Sequence, residues 1–185
     1  MPKLLVLFHS RGADAIALAE AAAAGARSVR FAEVDLRRLE DAGAATQAPA
    51  TDGAGRVHRT LDHVEDITAY DGLILALPAE GDTALALTGT VGALAGSLVN
   101  KVGSVVTDAE GAARTALVWS ALTPMADRGM ILVPTPFTNT TDEPPTESAR
   151  RLGKRVAEVI SWVTHARSHH HHEPHQHDHH SHHHH

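Results

Sequence analysis

The chain has 185 residues, of which 43% are hydrophobic and 21% charged, the profile of one soluble globular domain, with no apolar run near the roughly 20 residues that cross a bilayer. A formal net charge of -6 and only 3% aromatic residues leave neither the basic surface nor the stacking platforms of a nucleic-acid binder, and the absence of cysteine excludes disulfides, thiolate nucleophiles and iron–sulfur ligation. No basic or apolar leader precedes the first core segment, so the expectation is a cytoplasmic protein.

The unbroken apolar run Leu4 to Phe8 reads as a strand covered on both faces, as in a parallel sheet flanked by helices. Ser10, Arg11 and Gly12 form the turn into an alanine-rich helix from about Asp14 to Ala24, with Ile16, Ala17, Leu18 and Ala21 toward the sheet and Gly25 as its C-terminal cap. The free N–H groups and partial positive charge of that helix start suit an anion such as a phosphate. An ordinary strand-to-helix turn without a ligand is the equal alternative. Ser28 to Leu36 alternates like an edge strand, and Arg37 to Gly55 carries no usable period and reads as a flexible surface loop.

Between Arg59 and Tyr70 the spacing suggests a short helix, and Leu73 to Leu77 is the next central strand, closed by Pro78 to Thr83. Asp82 or Thr83 caps a helix carrying Leu85, Leu87, Val91 and Leu94, irregular because of Gly89, Gly92 and Gly96. Val102 to Thr107 is the fourth strand, followed by the loop Asp108 to Gly111. A helix from Ala112 to Arg128 contains Pro124, which predicts a bend, and stops at Gly129. Met130 to Pro134 is the fifth strand, Thr135 to Asp142 a loop, and Pro144 to Thr146 open the last helix with Thr146 as N-cap; its stripe is Leu152, Val156, Val159, Ile160 and Val163.

Five strands alternating with helices predict an α/β fold: a doubly wound five-stranded parallel sheet of order 2-1-3-4-5 with helices on both faces. Ligands of such sheets bind beyond the carboxyl ends of the strands, where the loops Ser10 to Asp14, Pro78 to Thr83 and Thr107 to Gly111 converge. Residues 1–167 make this domain. Residues 168–185 form a disordered tail in which His169, His170, His171, His172, His175, His177, His179, His180, His182, His183, His184 and His185 offer neutral imidazoles to Ni, Zn, Cu or Co. Interleaved Glu173, Gln176, Asp178 and Ser181 point to a natural metal-binding tail, with an expression tag as the alternative. Of the remaining ionisable groups, His9 is expected as a satisfied histidine, His58 and His63 as solvated ones, and Glu80 and Asp108 as solvated loop carboxylates at the crevice.

Lys3 to Gly25, Tyr70 to Pro78, Lys101 to Thr107 and Arg128 to Pro134 together resemble the flavodoxin superfamily, in the branch of flavodoxin-like NAD(P)H:quinone oxidoreductases related to the tryptophan-repressor-binding protein. The resemblance implies an FMN, with NAD(P)H as electron donor and a quinone as acceptor. It implies that Ser10, Arg11, Gly12, Ala13, Asp14 and Ala15 surround the phosphate, with Asp14 either facing it or turned outward as the helix N-cap. It further implies that Pro78, Ala79, Glu80 and Gly81 border one side of the ring and Thr107, Asp108 and Gly111 the other; sheet proteins of this kind often pair through exposed helices, as a homo-oligomer. The alternative is a non-catalytic flavodoxin-fold protein that has lost FMN and handles metal through its tail.

Overall fold

A computed structural model describes residues 1–9, 13–39, 57–79, 88–94, 96–135 and 143–169. Strands β1 (Lys3–His9), β2 (Glu33–Leu39), β3 (Gly72–Leu77), β4 (Val102–Thr107) and β5 (Ile131–Leu132) form one sheet of order β2-β1-β3-β4-β5, every neighbouring pair parallel. Helices α1 (Ala13–Arg27) and α4 (Pro145–His169) cover one face; α2 (residues 88–93) and α3 (Gly111–Asp127) cover the other. The expected strand order is therefore present. The central strands β1, β3 and β4 are buried almost throughout and β2 only partly, as its alternating pattern implies.

Successive strand residues divide between two cores. Leu4, Val6, Phe8, Ile74, Ala76, Val102 and Val106 meet α1 and α4, while Leu5, Leu7, Leu73, Leu75, Leu77 and Val105 meet α3, α2, Leu61 and Ile67. Helix α1 is buried on more than its sheet face, because Ala19, Ala22, Ala23 and Ala26 lie against α4 as well as the sheet.

Several boundaries differ from the sequence expectation, each for a local reason. Gly25 does not cap α1 but lies inside it: a Cβ there would sit 1.8 Å from the Arg150 carbonyl oxygen, and one at Gly153 would sit 2.0 Å from that of Ala22. The two glycines let the helix backbones cross in contact. Ala17, expected on the sheet side, is exposed. The second strand starts at Glu33 because Ser28 and Val29 still donate N–H bonds to the Gly25 and Ala26 carbonyls and Phe31 turns the chain at φ 69°. It continues through Arg37, Arg38 and Leu39, which the sequence assigns to the following loop; the rest of that loop lies outside the described residues. The short helix before β3 is a 3-10 turn at Val64–Ala69.

Gly129, at φ 77°, closes α3 as expected: its N–H reaches the Ala126 carbonyl at 2.8 Å and the Met130 N–H reaches that of Met125 at 3.1 Å, a Schellman arrangement. The ladder of β5 with β4 is two residues long, held by the Ile131 N–H on the Lys101 carbonyl at 2.7 Å and the Val133 N–H on that of Gly103 at 2.9 Å. Side-chain hydroxyls carry the attachment onward, Ser104 Oγ donating to the Val133 carbonyl at 2.6 Å and Thr135 Oγ1 to that of Val105 at 2.7 Å. Pro145, not Thr146, opens α4, where its missing N–H costs nothing, and Thr146 lies within the first turn. Ser168 and His169, counted with the tail in sequence, extend this helix; residues 170–185 lie outside the described residues.

Candidate functional site

The site forms where β1 and β3, adjacent in the sheet, send their chains to opposite faces: from β1 to α1, from β3 to α2. At that edge α1 begins at Ala13, so its free N–H groups face the end of β1. Ala15 is buried, and the Asp14 side chain is exposed in the first turn instead of occupying the N-cap. A carboxylate there complements the helix dipole while staying in water. Ser10, Arg11 and Gly12 lie outside the described residues, as do Glu80, Gly81, Asp82 and Thr83. His9, the last residue of β1, is 2% exposed.

The loops after β3 and β4 are joined directly. The Ala79 N–H donates to Asp108 Oδ1 at 2.7 Å, so Asp108 is a structural acceptor instead of the free loop carboxylate its position suggests. Thr107 Oγ1 accepts from the Ala109 N–H at 3.1 Å, which turns the chain away from the strand. Gly111 takes φ 56° and a Cβ there would meet nothing within 4 Å. Pro78 is buried and Ala79 exposed. The described rim of the crevice therefore carries Ala79, Ala109 and Gly111, with the exposed Glu110 beside them and the Asp108 carboxylate already engaged. These residues fit a planar ring between the two loops and an anionic group at the start of α1.

Two neighbouring features were not legible as site residues. Thr107, Asp108 and Gly111 also line a cavity of about 300 Å³ with Arg114, Thr135 and Glu143, between the first turns of α3 and α4. Arg114 stands three residues after Gly111, which places it on the first turn of α3; this spacing is the one sequence signal for it. A larger cavity, about 700 Å³, lies beside α1 and β2. It involves His58, expected in water: this side chain is 11% exposed, meets the Phe8 ring edge-on at 5.3 Å and approaches Glu20 Oε1 at 3.2 Å. His63 is exposed as expected. Among the described residues no group of His, Asp and Glu is arranged to hold a metal, and no helix is long and apolar enough to cross a membrane.

The sheet order, the crevice at its carboxyl edge and the loop joined across it define a flavodoxin-fold protein. No family model matches the chain. The NAD(P)H dehydrogenase (quinone) of Acidithiobacillus ferrooxidans is 33% identical over 150 residues, covering 76% of this chain and 74% of that protein. Among solved structures, the flavodoxin of Streptococcus pneumonia TIGR4 superposes with a TM-score of 0.58 at 15% identity, over 85% of this chain and 99% of its own. The WrbA-like flavodoxin protein of Agrobacterium tumefaciens gives a TM-score of 0.51 at 16% identity, over 88% of this chain and 99% of its own. The chain belongs to the flavodoxin superfamily, in the family of the flavodoxin-like NAD(P)H:quinone oxidoreductases.

Proposed function

We propose that the protein is an FMN-dependent NAD(P)H:quinone oxidoreductase. The observation that carries this reading is the 33% identity to a protein named NAD(P)H dehydrogenase (quinone), on a chain whose small-residue crevice lies at the β1–β3 divergence. The chemistry supplied by bound FMN is acceptance of a hydride from the nicotinamide and two-electron reduction of a quinone to the quinol, with one further proton from water.

The chain's own part is to bind, orient and exclude water. Ser10, Arg11, Gly12 and the N–H groups opening α1 at Ala13, Asp14 and Ala15 hold the phosphate, with Arg11 supplying the cation. Pro78, Ala79, Glu80 and Gly81 border one side of the ring and Thr107, Asp108 and Gly111 the other. The Asp108 bond to the Ala79 N–H fixes the spacing of these two loops, so the slot is set before the ring enters. The histidine-rich tail from His169 onward is a second, independent element that we assign to loose binding of divalent transition metals by neutral imidazoles.

The test is to load purified protein with excess FMN, desalt it, and assay NADPH and NADH oxidation with and without a quinone. Retained flavin absorbance and quinone-dependent oxidation are expected, and Asp108→Ala should weaken FMN about tenfold, the loss of one charge-assisted hydrogen bond. A colourless desalted protein overturns the reading and leaves a non-catalytic member of the superfamily.

A further inference from the structure

The cavity of about 700 Å³ beside α1 combines arginines with apolar side chains. Its lining includes three arginines, Arg27, Arg59 and Arg150, and the carboxylate of Glu20; Asp35 and Arg37 border it from β2, but their side chains turn to Tyr70 on the other face of the sheet. Its floor is apolar, made by Ala17, Ala21 and Ala24 of α1 with Val34 and Leu36 of β2. Its volume falls within the roughly 300–1,000 Å³ of small-molecule sites.

Two of these cations already have a contact. Arg27 Nη2 donates to the Val34 carbonyl at 3.2 Å, and Arg150 Nε lies 3.5 Å from Glu147 Oε2 in an exposed pair that a phosphate can displace. Glu20 is turned to His58, which withdraws one carboxylate from the open space. Arg59 has no side-chain partner among the described residues, although its backbone carbonyl is fixed by the Arg38 N–H at 2.9 Å. With no partner among the described residues, the Arg59 guanidinium keeps its planar fork of donors available to a phosphate.

We propose that this cavity is a ligand site separate from the flavin crevice, taking a phosphate-bearing molecule with a flat apolar part, the chemistry of an adenine nucleotide. The phosphates lie on Arg59 and Arg150 and the base on the alanine floor, where a guanidinium can also stack on its face. The nucleotide is either free or the adenosine half of the electron donor. Binding itself requires no flavin, so this site stands or falls separately from the proposed enzyme activity.

The test is calorimetric titration of the flavin-free full chain with ADP, with adenosine and inorganic phosphate as the apolar and anionic parts alone. ADP should bind better than either part, and Arg59→Ala and Arg150→Ala should each weaken it about tenfold. Arg155→Ala, on the exposed outer side of α4 and outside the cavity, should leave it unchanged. A raised KM for NADPH in both cavity variants assigns the nucleotide to the donor; an unchanged KM with ADP still bound assigns a free nucleotide, and either result sustains the site. No heat with ADP, or equal affinity in all three variants, overturns it.

Discussion

The two faces of the sheet solve the same packing problem with opposite materials. On one, α1 and α4 cross backbone to backbone through Gly25 and Gly153, amid Ala19, Ala22 and Ala23, and the bulky groups come from the sheet and the stripe Leu152, Val156 and Ile160. On the other, α3 lies over the sheet without such a crossing, and Leu94, Leu98, Val118, Leu122 and Met125 fill the gap. Where two helices share a face, their mutual approach sets side-chain size; where one long helix lies over the sheet, its depth on the strands sets it. The cost of changing a side chain therefore has opposite signs: adding atoms hurts the first face, removing them hurts the second.

The sharpest break of that comparison is Gly25→Ala. Helix propensity alone makes the substitution favourable by about 1 kcal/mol. The added Cβ, 1.8 Å from a backbone oxygen that no rotamer can move, forces the helices apart, and we expect a net loss of about 3 kcal/mol or more in urea unfolding. A stabilised variant would show that the crossing is looser than described. On the opposite face, Leu122→Ala should cost about 3 kcal/mol, through lost burial and an unfilled cavity, since Leu122 is 1% exposed. The same measurement tests it: a loss under about 1 kcal/mol would mean that the face collapses around the gap.

The smallest effect probes the edge of the second face, where Tyr70 is partly buried and donates to Asp35 Oδ2 at 2.7 Å. Burial first, and then this hydrogen bond, push the phenol up to about 12 from its ordinary 10.0. The unfolded chain therefore ionises first as pH rises, and the stability this group contributes, complete below pH 10, is lost between pH 10 and about 12. Tyr70 is the only tyrosine, so ultraviolet titration of the phenolate reads it without interference. Asp35→Asn should lower the midpoint; a midpoint at the ordinary value in the unmodified protein would show that the contact does not hold in solution.

Much of the fold was legible because burial on both sides leaves a continuous apolar signature. Leu4 to Phe8, Leu73 to Leu77 and Val102 to Thr107 are strands within a residue of where their composition puts them. The crevice was legible as a place, through the strand order, and the family through segments spread along the chain. Less was legible of its internal bonds. Asp108 and His58 read as ordinary solvated polar residues, since the Ala79 N–H and the Phe8 ring that engage them come from residues 29 and 50 positions away.

The sequence by itself determined the alternation of strands and helices, the sheet order that follows from right-handed crossovers, and the end of α3 at Gly129, because each depends on neighbours along the chain or on a periodicity they share. Only the tertiary structure decided that Gly25 joins two helices instead of ending one, that β5 stops after two residues, and that Arg27 of α1, Arg59 of the segment before the 3-10 turn and Arg150 of α4 line one hollow. These depend on distances between residues far apart in the chain, which a local pattern does not encode.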